Sequence, residues 1–453
     1  MLHQSFLFEK QENEFFTKTF SNLNLGKHLR SAGIKKNFGF SSLLVFQIIF
    51  QLVFLGRNWF RLLDSERGDA FPGKDVVYRF LNCPRHAWRK FLHSISFSII
   101  NDFEKLTSTS RTTVFIIDDS VLSRNRSKKA ELLARIHDHT FGRFVKGYNM
   151  LTLGWSDGYS FIPIDFTMLS SAKSQNRYCG IKSDIDKRTH GYKRRKEALL
   201  KKTDALVQMI DNALKAGFSA DYVLMDSWFT HSPVLNALKE KGMDVIGMVK
   251  PLKQKYLYQN QYLSLKELYS ILPKRTKSEI ISSVNVSTSD GLPVKLVFVK
   301  NRKNKREWLA ILSTDLSLDD EEIVRIYGNR WSIETFFKFA KSYLKLGSEF
   351  QGRCFDMMIS HTTIVFTRYL ALEWEHRNTN DDRSFGGLFY LYCDEIIDIN
   401  LRTALQQLMV LFIEIVKEQS GEMKSLIQCQ LQELINGFPT HIRSLLLNLG
   451  CES

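Results

Sequence analysis

The sequence has no Cys-x-x-Cys pair and no uninterrupted apolar run long enough to cross a bilayer. Its six cysteines (Cys83, Cys179, Cys354, Cys393, Cys429 and Cys451) are scattered. That argues against a zinc module or a secreted disulfide framework and fits a reducing cytoplasm. The most apolar stretch, Leu43 to Leu55, is interrupted by Gln47 and Gln51 and reads as a buried helix. Met1 to Phe20 mixes Gln, Glu and Lys with aromatics, unlike a signal peptide. Internal repeats and low-complexity tracts are also missing. Acid is scarce relative to base, with 48 Asp and Glu against 63 Lys and Arg, for a formal charge of +15. Such a surplus favours a polyanionic partner, of which nucleic acid is the commonest.

What is present is enough hydrophobic residue, 44% of 453, to bury more than one core. Residues 1–105 read as helical. Ser41 to Phe54 is apolar on most sides, and an amphipathic segment begins at Asp75 after the Pro72-Gly73 break. Basic residues such as Lys27, Arg30, Arg57, Arg79 and Arg89 interleave with aromatics there, which suits either DNA-end binding or a solvated basic face. From Thr112 the texture changes to β-branched runs. Thr112 to Ile117, Tyr148 to Trp155 and Tyr159 to Phe166 predict three strands, the last two joined by the turn at Ser156 to Gly158. A basic, helix-compatible stretch leads to a short strand, Tyr222 to Met225, then a helix over Pro233 to Lys241 and a strand over Asp244 to Val249. This order, βββαβαβ, predicts an α/β fold with an RNase H-like mixed-sheet core. Ile280 to Val286, Val294 to Val299 and Trp308 to Leu312 alternate as strands of a β-rich insertion. Asp319 then opens a long helix with acids in its first turn. The expected organisation is a helical DNA-binding region over 1–105, a catalytic core over 106–250, the insertion over 251–315, a return to the core over 316–354, and a helical region over 355–453 suited to dimerisation, with a loop from Asn378 to Ser384.

Phosphodiester chemistry with two metal ions needs carboxylates that converge. Mg²⁺, or Mn²⁺ in its place, prefers oxygen ligands and keeps several waters, so two or three acids suffice. Asp118 and Asp119 end the first predicted strand and Asp226 ends the fourth. An RNase H order lays these strands side by side. At about 100° per residue, Tyr327, Arg330, Glu334 and Lys341 share an arc roughly 60° wide on the long helix. A solvated stripe would look the same, so residue identity and spacing have to decide.

The spacing Tyr-x2-Arg-x3-Glu-x6-Lys, carried by Tyr327, Arg330, Glu334 and Lys341, resembles the YREK signature of bacterial insertion-sequence transposases. The chain resembles the insertion-sequence-four family of DDE transposases. Phe115 to Ser120 and Leu224 to Phe229 are similar to that family's two Asp-bearing strands. The resemblance implies that Asp226, Glu334 and one of Asp118 and Asp119 ligate the metal ions. The family's Asp two residues before a hydroxyl selects Asp118, and relatives with an acid just before the catalytic Asp would select Asp119. It implies phosphate contacts for Tyr327, Arg330 and Lys341, in keeping with arginine's bidentate grip and lysine's point charge. The run from Lys182 to Lys202, centred on Lys193, Arg194, Arg195 and Lys196, reads as a phosphate track beside the site. Tyr256, Tyr258 and Tyr262 are candidates for stacking a flipped base. The implied activity is cut-and-paste transposition, with hydrolysis at an element's ends followed by strand transfer. The implied partners are double-stranded DNA at those ends, target DNA and a second copy of the chain, with no membrane, in a bacterial cytoplasm near the nucleoid. The rivals are an RNase H-fold nuclease without strand transfer and a non-catalytic DNA-binding descendant.

Overall fold

In the computed structural model, residues 19–395 are described except for positions 37, 65–70, 109–110, 140, 183, 276–277, 302–303, 305–306, 379–382, and beyond 395 only isolated positions are described. Most of the expected C-terminal helical region, and most of the loop following Asn378, lie outside the described residues.

Among the described residues, five helices precede the sheet: α1 (Leu25–Ser31), α2 (Ser42–Gln51), α3 (Trp59–Leu63), α4 (Lys74–Leu81) and α5 (Trp88–Lys105). The Ser41 hydroxyl accepts the Leu44 N–H and so caps the start of α2. The apolar segment that excluded a membrane span is this helix, with Val45, Phe46, Ile49 and Phe50 buried. Among the described residues, no helix is long and apolar enough to cross a membrane.

The chain then enters β1 (Val114–Ser123), β2 (Ala134–Asp138), β3 (Arg143–Ser156) and β4 (Phe161–Leu169). Helices α6 (His190–Glu197) and α7 (Lys202–Lys215) lead to β5 (Tyr222–Met225), and α8 (Ser232–Lys239) leads to β6 (Asp244–Val249). β3 pairs antiparallel with both β1 and β4, while β1, β5 and β6 are parallel neighbours. The fold is therefore mixed α/β, as expected, with β4, β3, β1, β5 and β6 side by side in that order and with β2, a strand the sequence did not announce, also paired to β3.

The β-rich segment contributes β7 (Lys255–Tyr258), β8 (Gln261–Ser264), α9 (Leu265–Ile271), β9 (Ile280–Thr288), β10 (Pro293–Lys300) and β11 (Trp308–Ser313). These strands continue the same sheet, which reaches eleven strands, because β11 pairs antiparallel with β6. Pairing satisfies the backbone groups that β6 would otherwise expose at an edge.

Helices α10 (Asp320–Gly328), α11 (Trp331–Ser342) and α12 (Phe355–Asn378) follow, and residues 385–395 are again helical. α12 is buried over most of its length, which few helices manage with polar residues aboard. Its fully buried Arg368 donates from Nε to the Phe50 carbonyl at 2.9 Å and pairs with Glu349 at 2.9 Å. That gives a carbonyl in the last turn of α2 a side-chain donor.

Candidate active site

Val114 to Ile117 are fully buried, and β1 runs parallel to β5 with Ile117 opposite Met225. Asp118 lies within β1, which continues to Ser123 and does not end at the acids as expected, and Asp226 is the first residue past β5, so the two acids emerge side by side where β5 ends. Open sheets place ligands at such ends. A tight turn holds Asp226: its Oδ1 accepts the Trp228 N–H at 3.0 Å, and its carbonyl accepts the Thr230 hydroxyl at 2.8 Å.

The third acid arrives from the far end of the chain. The single long helix expected over 323–341 is two helices, α10 and α11, joined through Asn329 and Arg330 in right-handed helical conformation. Arg330 sits at that joint. Its Nη1 donates to Asp118 Oδ2 at 3.1 Å, and its Nη2 pairs with Glu334 Oε1 one turn further on. One guanidinium thus bridges the acid of β1 and the acid of α11. The Tyr327 ring lies 5.9 Å from the same guanidinium, and burial pushes its phenol up to about 12. Lys341 reaches the end of β1, where its Nζ donates to the Val121 carbonyl at 3.2 Å.

Burial dominates the electrostatics. It raises the Asp118 carboxyl to about 7, helped by Asp226 and Asp119 and opposed by Arg330. Asp226 is likewise raised by burial, and Asp119 adds to it, against the Trp228 N–H and Arg330. Asp119 is held differently: its partner is Lys202 on α7, at 3.1 Å. The Lys202 ammonium also lies 4.3 Å from the ring of Trp228, which is 46% exposed beside Asp226. Strand alternation accounts for the separate partners of the two adjacent acids.

Other expected residues separate. Lys193 and Lys196 on α6 are exposed, whereas Arg194 and Arg195 are buried. Arg195 forks between Glu131 at 2.6 Å and Asp356 at 2.7 Å, and Arg194 donates to the Phe166 carbonyl at 2.6 Å. These two arginines are buried and paired within the fold, a correction to the expected exposed track. An eight-residue helix has to bury one face, and here that face is charged because acids wait beneath it. Arg89 is similarly turned inward, onto Asp165 and Glu197. Tyr256 is fully buried in the core and is removed as a base-stacking candidate, while Tyr262 is exposed. The sequence reading passed over Trp228 as an exposed ring and Lys202 as the partner of Asp119. Both needed the meeting of α7 with the β5 turn to be recognised.

The donor set is all oxygen and partly buried, which suits a hard divalent cation. As the side chains stand, no group of three or more His, Cys, Asp or Glu among the described residues is gathered closely enough to hold a metal ion. The Arg330 guanidinium occupies the space between Asp118 and Glu334 and supplies the positive charge there.

Residues 72–263 match the family model described as DDE superfamily endonuclease. The match includes β1 and β5 with their acids and ends before Glu334. No curated protein matches the chain. Among solved structures, the chain is similar to the piggyBac transposase in a cryo-EM synaptic complex with hairpin DNA. Identity is 13%, the TM-score is 0.42, and the match covers 88% of this chain and 76% of that one.

Proposed function

We propose that the protein is a DDE transposase that cuts DNA at the ends of a mobile element and joins the freed 3′-hydroxyl to target DNA. The observation that carries the reading is the gathering of Asp118, Asp226 and Glu334 around Arg330, within a chain whose first two acids fall in a DDE endonuclease match. The order of strands beneath them supports an RNase H-like core, and the spacing of Tyr327, Arg330, Glu334 and Lys341 supports kinship with the insertion-sequence-four family.

Asp118, Asp226 and Glu334 would hold Mg²⁺, as two ions, or Mn²⁺. Bound there, the cation supplies charge to the scissile phosphate and a water or hydroxyl activated for in-line attack. Arg330 would exchange its two carboxylates for a phosphate oxygen as DNA enters, since a guanidinium grips either anion in the same bidentate fashion. Lys341 adds a point charge at the end of β1. Tyr327 packs under the guanidinium and limits where it can swing. Exposed Lys193 and Lys196 would meet the duplex backbone on α6, and a second copy of the chain would bring two DNA ends together.

The test is a supercoiled plasmid carrying the native element, incubated with purified protein and Mg²⁺. Excision followed by integration into a target plasmid is the expected result. Cutting without joining would leave a nuclease of the same fold, and metal-independent binding without cutting would leave a DNA-binding descendant.

A further inference from the structure

Beyond the acids, β1 runs on to Ser123 and opens into a cleft of about 690 Å³. One wall is the loop from Arg124 to Lys129, and the other is the loop from Gly347 to Arg353 between α11 and α12. Five cations line it: Arg124, Arg126, Lys128, Lys129 and Arg353. No carboxylate lines it, and none of the five has a carboxylate partner among the described residues. The hydroxyls of Ser123, Ser127 and Ser348 add neutral donors between the charges.

Acids do lie in or just beyond these loops, and the fold turns Glu131, Glu349 and Asp356 inward. Glu131 binds Arg195 at 2.6 Å. Glu349 lies against His361 at 2.8 Å and Arg368 at 2.9 Å, and Asp356 against Arg195 at 2.7 Å. A basic loop at random would let these acids neutralise their neighbours. Here the acids are consumed by buried arginines, which leaves Lys128 and Lys129 on one wall and Arg353 on the other with no acid between them. Like charges held in a concave site are relieved by a polyanion. Arg124 is anchored to the Phe350 carbonyl at 3.0 Å, so the two walls are tied together at the floor. Gly347 sits at φ 73 beside Leu122, which lets the second loop turn tightly against β1.

Position selects the polyanion. Five residues of strand separate Asp118 from Ser123, or about 17 Å at roughly 3.4 Å per residue. Phosphates along one strand of a duplex advance about 3.4 Å each. We propose that this cleft is a second DNA-backbone site, gripping the duplex about five phosphates from the bond to be cut. The assignment rests on the DNA-cutting reading of the neighbouring acids. Its side chains neutralise charge without presenting a base-reading geometry, so the grip is independent of sequence.

The test uses the full chain and a fluorescent random-sequence duplex about three helical turns long, without divalent metal, across a series of salt concentrations. For Arg126→Ala/Lys128→Ala/Lys129→Ala the log–log salt slope should flatten by about 2–3, near 0.9 for each lost contact. Lys128→Gln/Lys129→Gln, a milder change on exposed side chains, should flatten it by about two such contacts. Melting curves matching wild type show that folding is intact. A wild-type slope in the double variant would overturn the inference and leave the cutting reading standing. Failure of the wild-type chain to bind duplex at all would remove both. A loss seen only with single-stranded RNA of the same length would overturn the assignment to duplex DNA.

Discussion

At the scale of single residues, the two neighbouring acids of β1 make the sharpest contrast. Asp118 shares Arg330 with Glu334, while Asp119 has Lys202 to itself. Asp118→Asn and Glu334→Gln should therefore each abolish metal-dependent cutting, with DNA affinity nearly kept. Asp119→Asn should leave cutting measurable and cost mainly the lysine contact. Gel assays of all three variants check this, and activity in Asp118→Asn with loss in Asp119→Asn would exchange their roles. Arg330 makes a second contrast. Because its guanidinium stands where a cation would, Arg330→Ala should bind Ca²⁺ more tightly than wild type in the absence of DNA, yet cut DNA more slowly. Calorimetry separates these effects, and weaker Ca²⁺ binding in the variant would show that the guanidinium organises the acids and does not compete for them.

At the scale of elements, helix α6 divides its charges between two tasks. Arg195 docks the helix by joining Glu131, before β2, to Asp356, at the start of α12. Removing it leaves two buried carboxylates without a cation, a change that costs about 3–5 kcal/mol. Arg195→Ala should thus lower the melting temperature by many degrees. Lys193→Ala/Lys196→Ala should leave melting unchanged and flatten the salt dependence of duplex binding, by nearly one unit of slope per contact. An unaltered slope in that pair would assign the two lysines to solvent. Gly191 supports the same junction, since an added Cβ would lie 2.4 Å from Asp356 Oδ1. The whole contact is a buried salt bridge with little room around it.

At the scale of the molecule, buried acids of opposite tendency shape the response to pH. Glu131, Asp157 and Glu349 are held below the ordinary carboxylate range by their arginine, histidine and N–H partners despite burial. Their folded form binds protons less readily than the unfolded chain, so the stability they give is present above the ordinary range and lost as pH falls below it. Glu373 runs the other way. Burial raises it from 4.5 to about 7, against the Tyr369 hydroxyl and Arg377. The folded state keeps that proton while the unfolded chain releases it, so stability falls as pH rises from about 4.5 to about 7 and is flat above. Glu373→Gln lacks this loss. Its melting temperature should rise relative to wild type across that interval, by an amount worth on the order of 3 kcal/mol. Parallel melting curves from pH 4.5 to 8 would show no such divergence if Glu373 were ionised throughout in the folded protein.

Much of this was written locally. The β-branched runs before Asp118 and Asp226, the turn at Gly158 and the acidic opening of α10 lie within a few residues of what they specify, so most strands of the core could be read without coordinates, whereas the short strands β2, β7 and β8 could not. The candidate acids were picked from short-range patterns too, strand ends and helical spacing, although β1 in fact continues five residues past Asp118. Three things were decided only by the tertiary structure. The run from Lys193 to Lys196 looks uniformly basic, but which two of its charges face inward depends on Glu131 and Asp356, distant in sequence. The insertion joins the core sheet because β11 finds the open edge of β6, a pairing that no periodicity announces. The basic cleft keeps its charge because the arginines of α6 and α12 hold the nearby acids Glu131, Asp356 and Glu349 and leave the cations behind. Periodicity reports which side chains share a face of one element. It carries no information about which opposite charge, from elsewhere in the chain, will cover that face.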